Sequence, residues 1–210
     1  MRLLLLGATG PTGLQVVTQA HKEGHHLTVL VRSPEKLPRL DERLTVIVGD
    51  VTDEQELARA AVGQDAVVST MGAGRNLMSD IVGRSVDALI PAMRDAGVDR
   101  LILLSAFGVG PTCEHASLPQ RLAYRTVLRK LFSDKEQADR KLLDSGLDVT
   151  LVYPVTLTNR PFTGLYRAYG AGDRINFKGM PSISRADVAH FMLRQLTDPT
   201  WSGRIAILAD

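Results

Sequence analysis

The chain has 210 residues, of which 44% are hydrophobic and 23% charged, and a formal net charge of +2. That length suits one domain with a core of its own. The near-balanced charge, without a long basic run, argues against nucleic acid as a partner. Cys113 is the only cysteine, which rules out an internal disulfide or a thiolate metal cage and fits a reducing cytoplasm. The apolar run after Met1-Arg2 ends after four leucines, too short for a signal peptide, and no segment approaches the ~20 apolar residues of a membrane span. The expectation is a soluble cytoplasmic protein with no membrane partner and no metal.

Leu3 to Leu6 read as a strand buried on both faces, the usual state of a central parallel strand. Glycines follow at 7, 10 and 13, then a helical pattern from about Thr12 to Glu23, stopped at Gly24. Strand, glycine turn and helix are the context that a dinucleotide-phosphate site requires. Gly7 permits the tight turn, Gly10 lets backbone amides approach a pyrophosphate, and Gly13 lets the helix pack on the strand. The helix N-terminus supplies partial positive charge. An ordinary strand-turn-helix corner is the plain alternative.

Leu27–Val31 forms the second strand, ending in Arg32-Ser33-Pro34-Glu35-Lys36. Leu44–Val48 forms the third, closing in Gly49-Asp50-Val51, and Thr52 with Gln55 matches a capping box for the next helix. Asp65–Ser69 is the fourth strand, followed by Met71-Gly72-Ala73-Gly74-Arg75, and a helix covers Ser79–Ala96 up to Gly97. Leu101–Leu104 is the fifth strand and terminates at Ser105. Pro119–Leu131 and Ser133–Ser145 make one or two helices, and Leu147–Val152 the sixth strand, stopped by Pro154. Thr156–Ser182 reads as an irregular, aromatic-bearing stretch. Ser184 then caps a helix over Arg185–Leu196, and Arg204–Leu208 is the final strand. His190 and Trp201 read as structural, and Asp187 as a capping-box acid. The pairs His25-His26 and Cys113/His115 lack the further ligands that a metal would need.

Strands alternating with helices predict an α/β fold: a single Rossmann-type, doubly wound parallel sheet spanning 1–210. Residues from about 154 to 183 form a small irregular C-terminal substrate lobe. Ligands of such sheets bind at the carboxyl ends of the strands, and the residues there are short, polar or glycine-rich. The second strand ends without the acid expected to accept the ribose hydroxyls of NAD. Arg32, Ser33 and Lys36 suit a 2′-phosphate instead, predicting NADP(H). Asp50 can bond the adenine amino group with Val51 against the ring, or can simply cap its own turn.

The run Gly-Ala-Thr-Gly-x-Thr-Gly, Val-Arg-x-x-x-Lys-Leu, Gly-Asp-Val, Ser105-Ala106-Phe107, Asp144-Ser145-Gly146-Leu147, Pro161-Phe162-Thr163-Gly164 and the 184–192 segment resembles atypical short-chain dehydrogenases/reductases. Within them it is similar to the NADPH-dependent flavin reductase/biliverdin-IXβ reductase group. The resemblance implies hydride transfer from NADPH to a planar small molecule: a flavin (FMN or FAD, as substrate rather than bound cofactor), a biliverdin-like tetrapyrrole or a quinone. By position, Gly7, Thr9, Gly10, Pro11, Thr12 and Gly13 hold the pyrophosphate. Arg32, Ser33 and Lys36 hold the 2′-phosphate, and Asp50 and Val51 the adenine. Met71, Gly72 and Arg75 line the ribose and nicotinamide edge, with Ser105, Pro154 and Val155 completing the cofactor site.

Ser105 stands at the superfamily's catalytic serine, with Lys135 and Thr156 as the other catalytic candidates. Two departures stand out. Four residues before Lys135 is Leu131, so the usual Tyr-x-x-x-Lys pair, in which the lysine lowers the phenol's pKa, is missing. Thr156 occupies the place of the group's histidine after the proline of the sixth strand. Phe107, Phe162, Tyr166 and Tyr169 offer stacking surface for the acceptor or pack an irregular lobe. A non-catalytic NADP(H)-binding sensor is the alternative, and a monomer or weak homodimer is expected.

Overall fold

The computed structural model describes residues 1–210 except 73, 75, 77 and 178. Among the described residues the strands are β1 (Arg2–Leu6), β2 (His26–Val31), β3 (Leu44–Val48), β4 (Ala66–Ser69), β5 (Arg100–Leu104), β6 (Asp148–Pro154), β7 (Thr156–Thr158), β8 (Arg167–Gly170), β9 (Ser182–Ser184) and β10 (Arg204–Ala209). The helices are α1 (Pro11–Lys22), α2 (Glu54–Ala61), α3 (Ile81–Ala96), α4 (Leu118–Arg125), α5 (Arg129–Leu143) and α6 (Arg185–Arg194). Eight strands form one sheet in the order β3-β2-β1-β4-β5-β6-β10-β8. Every neighbouring pair is parallel except β10 with β8. The expected doubly wound Rossmann-type sheet is present.

The all-apolar β1 sits where its sequence demands, between β2 and β4, with Leu3 to Leu6 each no more than 1% exposed. The strand order turns back between β1 and β4, and a crevice for a ligand opens at such a reversal. The outermost β3 carries exposed Val46 and Val48, as an edge strand can.

Three local expectations need correction. Asp53, rather than Thr52, caps α2: its carboxylate accepts from the Glu56 N–H at 3.0 Å. Thr52 is drawn instead to Asp50, whose Oδ1 accepts from its N–H and hydroxyl. The expected helix over Pro119–Leu131 breaks at Thr126 into α4 and the start of α5. The stretch 156–182 is more ordered than its composition suggested. β7 pairs in parallel with β9, and β8 adds antiparallel to the sheet edge along β10.

Docking of α5 beside the cleft rests on Asp134. Both of its carboxylate oxygens accept from the Gly83 N–H in the first turn of α3, at 3.2 Å. Asp80, the N-cap residue of α3, makes no side-chain cap, so the acid that complements this helix terminus comes from the neighbouring helix.

Candidate functional site

The glycine turn is built by contact. Gly7 has φ +77, and a Cβ there would lie 2.8 Å from the Thr70 carbonyl carbon. A Cβ on Gly13 would sit 2.1 Å from the Gly7 carbonyl oxygen, so only glycine lets α1 approach β1 this closely. The Gly10 N–H bonds back to the Gly7 carbonyl at 3.0 Å. Gly10 is the N-cap of α1, no side chain caps the helix, and Pro11 opens it. The first-turn amides of α1 are therefore left to a ligand, and Gly10 keeps their approach clear, as a pyrophosphate cradle requires. Thr70, which sequence reasoning missed, braces the turn: its hydroxyl donates to the carbonyls of Leu6 and Gly7.

At the end of β2, Arg32 is exposed and makes no side-chain hydrogen bond or ion pair among the described residues. Ser33 is half-buried, and Lys36 is exposed in a short 3₁₀ turn over Pro34–Lys36. Across from Arg32 lies Asp50. Hydrogen bonds from Thr52, opposed by slight desolvation and assisted by the charges of Arg32 and Arg84, hold its carboxyl below the usual carboxylate range. Asp50 does cap its own turn, but only through Oδ1. Val51 is 7% exposed and mostly committed to the core. A Cβ on Gly49 would meet Glu56 Oε2 at 2.4 Å, and the same oxygen accepts from the Asp50 N–H. Met71 is half-buried and Gly72 exposed beyond β4. Arg75 lies outside the described residues.

The expected catalytic residues separate into two places. The Ser105 N–H bonds the Val152 carbonyl, continuing the β5–β6 ladder, and its hydroxyl donates to Asp139 Oδ2 at 2.5 Å. The Tyr153 hydroxyl donates to the same oxygen at 2.7 Å. Lys135 stands one turn before Asp139 on α5, and both are buried, at 7% and 3% exposed. Burial pushes the Lys135 ammonium below its ordinary range against the pull of Asp139 and Asp134. It pushes the Asp139 carboxyl up, outweighing the Ser105 and Tyr153 donors and the Lys135 charge. Asp139 Oδ1 has no hydrogen-bond partner among the described residues.

Thr156 is exposed at the start of β7, its N–H on the Pro181 carbonyl, and it makes no hydrogen bond to Ser105 or Lys135. Pro154 and Val155 are buried beside Ser105, the Pro154 carbonyl accepting from the Phe107 N–H. Asp139 and Tyr153 were not foreseen. The signal lay in α5, where Lys135, Ala138, Asp139 and Leu142 share the buried stripe: two ionisable residues at apolar positions.

The aromatic residues form distinct groups. Phe107, next to Ser105, meets Phe177 edge-on at 5.6 Å, and Phe177 meets Tyr169 at 5.9 Å. Phe162 and Tyr166 instead pack on His190 of α6, with the Tyr166 hydroxyl 2.7 Å from His190 Nδ1. Phe162 and His190 line a cavity with Gln15, Thr18 and Lys22 on the flank of α1. Those two rings pack against α6 through His190. Tyr124, the one tyrosine near Lys135 in sequence, stacks on Phe132 at 4.4 Å and lines a 550 Å³ cavity with Gly108, Arg125, Arg129 and Glu136. Asp187 does more than close its capping box with Ser184. It also accepts from the Thr163 and Gly164 N–H groups and the Thr163 hydroxyl, fastening the loop before β8 to α6. Among the described residues no cluster of three His, Cys, Asp or Glu is arranged to hold a metal, and no helix is long and apolar enough to cross a membrane.

The family model described as NAD(P)H-binding matches residues 7–199, from the glycine turn past α6. An uncharacterised sugar epimerase, YhfK, of Bacillus subtilis is 28% identical over 97% of this chain and 92% of its own. An isoflavone reductase homologue of Solanum tuberosum is 32% identical over 97% of this chain and 67% of its own. Among solved structures, the anaerobilin reductase ChuY of Escherichia coli O157:H7 superposes with a TM-score of 0.81. It shares 22% identity over 99% of this chain and 96% of that one, a likeness of fold. The chain belongs to the NAD(P)H-binding family.

Proposed function

We infer that the protein is an NADPH-dependent reductase that passes hydride to a planar small molecule such as a flavin, a linear tetrapyrrole or a quinone. The carrying observation is the pairing of an uncapped, glycine-built α1 N-terminus with an Arg32 at the end of β2 that has no partner among the described residues. The first suits a pyrophosphate. The second suits the 2′-phosphate that distinguishes NADPH, in the place where an acid would select NADH. The residues fit this cofactor, which when bound supplies a hydride from its nicotinamide C4.

The chain's own contribution is placement. Gly7, Gly10, Gly13 and the α1 amides hold the pyrophosphate, Arg32, Ser33 and Lys36 the 2′-phosphate, and Asp50 Oδ2 is left free for the adenine amino group. Ser105, Phe107 and Pro154 close the carboxyl ends of β5 and β6, where the acceptor meets the nicotinamide. A flat conjugated acceptor needs alignment above all, and an oriented approach alone accounts for much of a hydride-transfer rate. Relatives named as reductases support the reading. The protein acts as a monomer or weak homodimer in the cytoplasm, on a small-molecule acceptor.

The test is NADPH and NADH binding, followed by fluorescence of the reduced nicotinamide, with FMN-dependent oxidation read at its absorbance band. NADPH binding at least tenfold tighter than NADH, with FMN-dependent turnover, is expected. Tight NADPH binding without turnover on FMN, menadione or biliverdin would favour the non-catalytic sensor.

A further inference from the structure

Hydride transfer leaves the acceptor one proton short, and the usual tyrosine is absent. Leu131 stands in its place, Tyr124 is stacked against Phe132, and Tyr153, 1% exposed, has its hydroxyl committed to Asp139. Burial pushes the Tyr153 phenol far above its ordinary range, so it holds its proton throughout.

Resting on the reductase reading, we propose that Asp139 is the proton reservoir behind Ser105: its carboxyl reloads Ser105 Oγ as Ser105 gives its proton to the acceptor. The acceptor gains the hydride with its electron pair, and one of its heteroatoms takes the proton from Ser105 Oγ. Ser105 Oγ takes the proton from Asp139 Oδ2, leaving a carboxylate, which regains a proton from solvent before the next turnover. Serine returns unchanged, and the net proton comes from water.

The geometry carries this in three ways. Ser105 Oγ and Asp139 Oδ2 are 2.5 Å apart, close enough for a proton to pass between them. When Oδ2 holds it, the Ser105 hydroxyl proton is free to turn toward the cleft. Tyr153 donates to the same oxygen and fixes the carboxyl in place. Asp139 Oδ1 is buried and has no donor among the described residues. A full carboxylate there would leave charged oxygen unsatisfied, whereas a neutral acid leaves only a carbonyl oxygen, a smaller cost.

The groups facing Asp139 are Ser105 beyond β5, Tyr153 on β6, and Lys135 and Asp134 on α5. Only Lys135 could favour the anion by charge. It is itself buried, makes no ion pair among the described residues, and is driven toward the neutral amine by the same desolvation. Asp139 therefore acts through Ser105 rather than on the acceptor.

Asp139→Asn keeps the side chain's shape and removes the exchangeable proton. Infrared difference spectra of wild type against Asp139→Asn, with NADPH bound, should show a protonated carboxyl in wild type at neutral pH. With menadione as the probe acceptor, kcat should fall about 100-fold while KM for NADPH stays within about twofold, since Asp139 lies away from the phosphate cradle. The wild-type loss of activity as pH rises through the raised Asp139 pKa should vanish in the variant. No protonated-carboxyl band at neutral pH, or a variant with wild-type kcat and pH profile, would overturn the proposal. If Asp139→Asn does not fold, Ser105→Ala should keep the infrared band and lose the alkaline limb, and retention of that limb would overturn it equally. A wild type idle with menadione, FMN and biliverdin fails the reductase reading, and the proposal with it; an active wild type matched by Asp139→Asn fails the proposal alone.

Discussion

A Cβ on Gly13 would lie 2.1 Å from the Gly7 carbonyl oxygen, so the helix and the strand of the nucleotide turn touch through backbone alone. Gly13→Ala must push α1 off β1. Overpacking of this kind costs about 1–3 kcal/mol, and displacing the α1 amides should weaken NADPH binding by tenfold or more. Gly172→Ala, where an added methyl meets nothing within 4 Å, serves as the control and should leave both unchanged. Thermal melts and NADPH titration of the two variants check this.

Arg32 is the specific claim about the cofactor. Hydrogen bonds to a charged group contribute about 1.5–3 kcal/mol, so Arg32→Ala should lower NADPH affinity by about 10- to 100-fold and leave NADH within about twofold. Equal losses for both nucleotides, measured by fluorescence titration, would contradict the 2′-phosphate assignment.

Asp187 ties two segments together from a buried position. Burial raises its pKa, but four donors outweigh this and hold the carboxyl below its ordinary value. A depressed folded-state pKa means the stabilisation is complete above the unfolded carboxylate range and fades as pH falls through the folded value. Asp187→Asn should therefore melt lower than wild type at neutral pH, by about 1–3 kcal/mol, and the gap should narrow in acid. Hydrogen exchange at the Thr163 and Gly164 amides should quicken in the variant.

The join between α3 and α5 is equally direct. Asp134→Ala removes the acid that caps α3 from outside, a loss of about 1 kcal/mol, and Gly83→Ala would place a methyl 2.4 Å from Asp134 Oδ1. The two substitutions share one contact, so their effects on urea midpoints should be non-additive.

The seven parallel strands of the sheet were legible because each is a largely apolar run, whereas the antiparallel edge strand β8, Arg-Ala-Tyr-Gly, carries no such signal. The glycine turn was legible too: Gly7, Gly10 and Gly13 have a local, spacing-dependent meaning. What escaped was tertiary. Asp139 and Tyr153 are 14 residues apart and meet Ser105 only because α5 lies against β6, the neighbour of β5 in the sheet. The Asp134 cap on α3 likewise spans 51 residues. Sequence position left Phe162 and Tyr166 open between stacking on an acceptor and packing the lobe; the pull of Asp187 on Thr163 and Gly164 seats their loop against α6.

The central claim, hydride transfer from NADPH to a planar acceptor, is tested most directly by NADPH oxidation with FMN, menadione and biliverdin. Each acceptor is run with ordinary NADPH and with NADPH deuterated at the transferred C4 position. Oxidation that depends on at least one acceptor, and that slows with deuterated NADPH, is the predicted result. Tight NADPH binding with no acceptor-dependent oxidation across all three would contradict it.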